Sequence, residues 1–250
     1  MKRIRLNKSK NRKLINRINQ INGWLDEKEA LKLYEIARSL PPEAVIVEIG
    51  SYEGKSTVWL GKALRKNRTG KLYSVDHHIG SPEKGESEAT VNTWEKFRQN
   101  INKFGLEETV TAIKKDSSWA VIDFDKRIDL LFIDGNHEFE EVDRDWRLWT
   151  KKLSENAWVV LHDATVLPGP WLVAKREVLL SSSFRRVGMK GSIIFGRLER
   201  KQGSFKKLFT RVINYLKYLY IISYVRMRKI NWARNLKILT LNFFHDLKKR

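Results

Sequence analysis

The apolar positions of this chain change period repeatedly. "WLDEKEALKLYEIARSL" puts Leu31, Leu33, Tyr34, Ile36, Ala37 and Leu40 at near-helical spacing, and Pro41-Pro42 ends the segment. Short runs rich in β-branched residues follow: "AVIVEI" (44–49), "KLYSVD" (71–76), "VTAIKK" (110–115), "IDLLFID" (128–134) and "AWVVLHD" (157–163). Helical stretches at 56–67, 88–104, 117–122 and 138–153 separate them. Strands spaced by helices predict right-handed βαβ crossovers and a parallel sheet covered on both faces. "FRRVGMKG" and "SIIFGRL" (184–198) read as two further strands, an antiparallel hairpin around Gly191 at one edge. The predicted fold is α/β, a doubly wound, mostly parallel seven-stranded sheet. Trp59, Trp94, Trp146 and Trp149 fall on helix faces and are assigned to the core.

Beyond residue 201 the pattern is different. Apolar and aromatic residues mix with Lys and Arg, and the longest charge-free run, "YLYIISYV" at 218–225, has eight residues. About 20 are needed to span a bilayer. Charge divides the chain the same way. Residues 1–20 hold eight Lys or Arg and no acid, residues 201–250 hold thirteen with only Asp246, and these ends account for the whole net charge of +20. We therefore divide the chain into a basic N-terminal helix or arm (1–21), a neutral domain (22–200) and a basic amphipathic helical tail (201–250). Basic ends on a neutral body suit an anionic partner, lipid or nucleic acid. For the tail the expected partner is an anionic membrane surface, with Trp232, Phe243, Phe244 and the tyrosines at 215, 218, 220 and 224 at headgroup level. The N-terminus has no apolar secretory core, so the expected location is cytoplasmic, peripheral on the inner leaflet. Without cysteine, disulfides and thiolate metal sites are excluded.

Ligands of a doubly wound sheet bind beyond the carboxyl ends of its strands. Those ends deliver Glu48, Gly50, Ser51 and Gly54; Asp76, His77 and His78; Asp116 and Ser117; Asp134, Gly135 and His137; and His162 and Asp163. "VEIGSYEGKST" (47–57) comes close to a phosphate loop but is one residue short between Gly50 and Gly54, and Glu48 and Glu53 would repel a polyphosphate. Gly50 and Gly54 allow close backbone approach, and Asp76 is placed to accept ribose hydroxyls, which points to an adenosine-containing ligand without phosphate. Trp119, just after Asp116, is placed to flank adenine.

Together "VIVEIGSYEGKSTVWL", "YSVDHHIGSPE", "IDLLFIDGNHEFEEVDRDWRLW" and "WVVLHDAT" resemble class I S-adenosylmethionine-dependent methyltransferases, in particular the methyltransferase-24 group, over about residues 22–198. The resemblance implies a Rossmann-like fold with S-adenosyl-L-methionine as cofactor. It places methionine contacts at Glu48, Gly50 and Ser51, ribose contact at Asp76, and adenine contact near Asp116 and Ser117. "SENA" at 154–157 departs from the family's Pro-Gly-Gly turn, which puts local packing in question.

An alcohol is a poor nucleophile until it is deprotonated or polarised. Asp134 and Asp163 end neighbouring strands and can share Mg2+ or another divalent cation, with His162 as a third ligand or as a group that orients the ligands from behind. Similar metal-dependent O-methyltransferases carry a base three residues after the first acid, which is His137 here. Structural roles stay open: Asp163 as a turn cap, His137 as a helix cap or a surface residue, and His77 and His78 as rim or loop residues. The expected function is O-methylation of a small-molecule or sugar hydroxyl, including that of a membrane-linked glycoconjugate. One alternative is a nucleic-acid methyltransferase, disfavoured because "IDGNH" stands where exocyclic-amine methylases resemble Asn- or Asp-Pro-Pro-Tyr. A non-catalytic membrane-associated domain is the other.

Overall fold

The computed structural model describes residues 8–67, 70–80 and 92–247. Seven strands form one sheet: β1 (Val45–Ile49), β2 (Lys71–Val75), β3 (Val110–Ile113), β4 (Ile128–Ile133), β5 (Leu153–Leu161), β6 (Phe184–Lys190) and β7 (Ile193–Leu198). Among the described residues eight α-helices accompany them: α1 (Lys8–Asn19), α2 (Glu27–Arg38), α3 (Lys55–Asn67), α4 (Trp94–Lys103), α5 (Ser117–Ala120), α6 (Phe139–Trp149), α7 (Pro168–Ala174) and α8 (Ser204–Leu247). The strand order is β3-β2-β1-β4-β5-β7-β6. β1 to β5 run parallel, β7 is antiparallel to both its neighbours, and the order reverses beside β1.

Successive residues of each inner strand bury on opposite faces, as a pleated strand requires. Ile46, Leu130, Val160 and Ile193 face a core shared with α1 to α4, while Val47, Leu131, Val159 and Ile194 face the layer of α6 and α7. Trp59, Trp146 and Trp149 are buried in these cores, and Trp94 packs partly buried against the first. The basic α1 belongs to the folded body, because Ile15 and Ile18 are fully buried there. Among the described residues, no helix is long and apolar enough to cross a membrane.

Some boundaries differ from the sequence-based expectation. The helix expected over 88–104 begins at Trp94, where Asn92 Oδ1 accepts the Trp94 N–H at 3.1 Å; residues 88–91 lie outside the described residues. α6 stops at Trp149 and one tight turn, 150–152, leads directly into β5. β5 therefore starts at Leu153 and passes through the "SENA" stretch, with its register against β4 shifting between Ile128 and Leu130. Asn156 sits there at φ 66°, a left-handed conformation that Asn tolerates better than most residues, so a bulge replaces the glycine turn.

Candidate active site

The parallel register sets the site. Ile49 pairs with Val75 and Ile133, Val75 with Ile113, and Ile133 with Leu161. The next residue of each strand then falls in one row, Lys114, Asp76, Gly50, Asp134 and His162. Four backbone bonds extend the ladder into that row: Gly50 N to Val75 O (2.9 Å), Asp76 N to Ile113 O (3.2 Å), Asp134 N to Ile49 O (2.8 Å) and His162 N to Ile133 O (3.0 Å).

At the centre of the row the chain turns from β1 into α3. Gly50 has φ 80°, and a Cβ there would lie 2.3 Å from the Asp134 carbonyl oxygen, so only glycine fits this backbone contact. Asp76 organises the turn. Its Oδ2 accepts the N–H groups of Ser51 (2.8 Å) and Tyr52 (2.9 Å), and its Oδ1 accepts that of His78 (2.7 Å). Tyr52 takes φ 50° in this turn. Gly54 ends the loop facing Phe97. Ser51 is buried at the rim, whereas Glu48 is fully buried inside β1, with Thr57 Oγ1 donating to its Oε2 at 2.5 Å and Ser74 Oγ at 3.2 Å. Burial outweighs these hydrogen bonds and pushes Glu48 up to about 7. Its Oε1 is a buried oxygen without a partner among the described residues.

On the β3 side, Asp116 caps the short α5, its Oδ1 accepting the Ser118 N–H at 2.8 Å. Burial opposes ionisation, but the Ser118 hydroxyl and amide and the nearby Arg144 hold the Asp116 carboxyl below its usual value. Ser117 Oγ donates to the buried Asp145, which burial pushes up to about 6. Trp119 projects into solvent, 67% exposed, beside a depression of about 610 Å3 that Lys115, Asp116 and Ile122 also line. Next to Asp76, His78 is buried against Trp94 and Phe97, and its Nδ1 lies 2.8 Å from Thr93 Oγ1. His77 is on the rim, accepting the Ile79 N–H at 3.2 Å. Residues 81–91 of the adjoining loop lie outside the described residues.

On the β4–β5 side, Asp134, His162 and Asp163 converge, with one ligand atom from each within 4.8 Å of the others. His162 Nδ1 lies 2.8 Å from Asp134 Oδ1 and 3.2 Å from Asp163 Oδ2. Although both carboxylates are close, that buried nitrogen has no aligned hydrogen bond among the described residues. It is aimed between the two acids. Asp163 reaches this position with φ 50°, unusual for a side-chain-bearing residue. Its Oδ2 is 3.4 Å from His137 Nε2, which fixes His137 at the mouth of the cluster. Burial disfavours charge on His162, but the carboxylates of Asp134, Asp163 and Glu29 outweigh it and push its pKa up to about 12. The same histidines hold Asp163 well below the ordinary carboxylate range despite its burial.

Sequence reasoning did not find Glu29. It closes a capping box as the third residue of α2: Asp26 Oδ1 accepts the Glu29 N–H at 2.8 Å, and Glu29 Oε2 accepts the Asp26 N–H at 2.9 Å. The same carboxylate lies 3.3 Å from His162 Nε2 and accepts the Ser192 N–H at 2.5 Å. Burial opposes its charge, yet the bonds from His162, Ser192 and Asp26 take Glu29 down to about 2. The pattern Asp-x-x-Glu signals a helix start and gives no hint that its Glu will orient a strand-end histidine.

A family model described as a methyltransferase domain matches residues 47–164. Uncharacterized protein R132 of Acanthamoeba polyphaga mimivirus is 28% identical over 120 residues, covering 47% of this chain and 50% of that protein. The chain thus spans about half the length of the curated relative it matches. Among solved structures, the O-methyltransferase NovP superposes with a TM-score of 0.56 at 14% identity, over 68% of this chain and 79% of its own. The O-methyltransferase TomG from Streptomyces achromogenes, solved with SAM, gives 0.53 at 16% identity, over 76% and 88%. At such identities the likeness is one of fold.

Proposed function

We propose that this chain, whose residues 47–164 match a methyltransferase-domain model, transfers the methyl group of S-adenosylmethionine to a hydroxyl of a small molecule or sugar, assisted by a divalent cation. The observation that carries the reading is the convergence of Asp134, His162 and Asp163, with His137 at its mouth, one strand away from the Gly50 turn. The donor set fits a divalent cation, because two carboxylate oxygens and an imidazole nitrogen without an aligned partner face one point. A cation held there would lower the pKa of an acceptor hydroxyl.

The chain's own residues supply the rest. The Gly50–Gly54 turn admits the cofactor against bare backbone, and Asp76 holds that turn while standing at the ribose position. Asp116, Ser117 and Trp119 border the adenine side. His137 takes the acceptor proton as the oxygen attacks the sulfonium methyl carbon. The carbon–sulfur bond breaks and its electron pair stays on sulfur, leaving S-adenosylhomocysteine. Glu29 locks Nε2 of His162, so that Nδ1 keeps facing Asp134 and Asp163.

The charge on His162 favours a second reading, because an imidazolium between two carboxylates supplies the positive charge that a cation would otherwise bring. His137 then acts as a base without metal. The test is product analysis by mass spectrometry after incubating the protein and labelled S-adenosylmethionine with glycan, lipid-linked sugar and RNA pools, with Mg2+ or with excess chelator. Under the main reading, turnover requires the cation, and Asp134→Asn and Asp163→Asn abolish it while cofactor affinity stays nearly unchanged. Full activity in chelator selects the metal-free reading. Methylation of RNA alone removes both.

A further inference from the structure

The outward face of α8 has no partner within the described residues. The helix docks through one side. Asn214, almost fully buried, donates its side-chain N–H groups to the carbonyls of Ser181 and Phe184, both at 2.8 Å. Thr210 donates to Gln202 Oε1 at 3.1 Å, Ile221 is buried, and Tyr218 stacks on Trp171. Tyr218 therefore faces the body and not a headgroup layer, while Trp232, Phe243 and Phe244 lie outside the described side chains. The opposite side carries Phe205, Leu208, Phe209, Val212, Leu216 and Tyr220, each more than half exposed. At 100° per residue these six fall within an arc of about 120°, the width of an apolar stripe that ordinarily seeks cover. Lys206 and Lys217 border the arc on one edge, Arg211 and Arg226 on the other.

We infer that this face of α8 is an interfacial surface for an anionic lipid bilayer, with the helix lying in the headgroup layer and its docked side holding the domain against the membrane. Charge complementarity selects this occupant. The tail holds thirteen basic residues against one acid, so a second copy would bring the same charge and be repelled. Nucleic acid satisfies the Lys and Arg, but not an aliphatic stripe of Leu208, Val212 and Leu216, because base stacking uses aromatic faces. A bilayer satisfies both, through acyl chains below the arc and phosphates along its edges.

The test is flotation of the full chain with phosphatidylcholine vesicles and with mixed phosphatidylcholine–phosphatidylglycerol vesicles, alongside duplex RNA binding and light scattering. Leu208→Ser with Leu216→Ser removes apolar contact from exposed positions without touching the docked side or any charge. The wild type is expected to float with the anionic vesicles and not with the neutral ones. The double variant should lose at least about tenfold in partitioning while its thermal unfolding and RNA binding stay unchanged. Equal partitioning of the variant overturns the inference. So does a wild type that ignores anionic vesicles and binds RNA, or one whose dimer the double substitution dissolves.

Discussion

Replacing Glu29 by alanine tests whether one side chain holds the strand-end cluster in place. Glu29 is 4% exposed, and its carboxylate meets three donors: Ser192 N–H at 2.5 Å, Asp26 N–H at 2.9 Å and His162 Nε2 at 3.3 Å. In the Ala variant the buried Ser192 amide and His162 lose their acceptor, at about 1–3 kcal/mol each, and removing one member of a buried ion pair costs about 3–5 kcal/mol in all. These effects describe the same groups, so the expected loss is about 3–5 kcal/mol. For a chain of this size that corresponds to a fall in Tm of about 6–20 °C. Glu29→Gln keeps an acceptor for Ser192 and Asp26 but not the charge, and should fall between the two. Chemical denaturation measures the difference, through a shifted midpoint at constant slope. A loss under about 1 kcal/mol for the Ala variant would refute the reasoning, since water would then serve those donors as well as the carboxylate does.

Two further outcomes follow from the cofactor side. Glu48 is fully buried and its pKa rises from 4.5 to about 7, so its contribution to stability is complete below about 4.5 and is lost as pH rises through 7. Relative to Glu48→Gln, the wild type should lose up to about 3 kcal/mol between pH 5 and pH 8 in denaturant titrations, and parallel profiles would show that Glu48 ionises normally. Asp76→Ala should weaken S-adenosylmethionine by at least about tenfold in calorimetry, because it removes the proposed ribose acceptor and the support of the Ser51 and Tyr52 amides together. Unchanged affinity would take Asp76 out of the site.

Much of this arrangement was legible in the sequence, for specific physical reasons. A parallel sheet buried on both faces produces uninterrupted runs such as "AVIVEI" and "IDLLFID", and the first polar residue after each run marks the edge where ligands bind. Asp76, Asp134 and His162 are found in one row because register, not composition, aligns run ends. Other features depended on contacts far apart in the chain. The start of α4 rests on the Asn92 side chain and on Thr93 bonding back to His78, and the course of β5 on a left-handed Asn156, none of which leaves a periodic signal. α8 carries apolar residues on both its docked and its outward side, so its sequence could not say which face docks. Asn214, reading the carbonyls of Ser181 and Phe184, decides that.

The bond from Ser192 to Glu29 spans 163 residues. It joins the second helix of the chain to the turn between the last two strands, where Gly191 leaves room for the carboxylate: a Cβ there would lie 2.2 Å from Glu29 Oε1. Closing so long a loop is entropically costly and comes late in folding. During synthesis the first five strands can pair, and the Gly50 turn can form, before the hairpin exists. Glu29, the partner of His162 Nε2, gains its Ser192 donor only once that hairpin has emerged. The half of the cleft around the Gly50 turn is thus built early, and the support of the Asp134, His162 and Asp163 cluster is completed last.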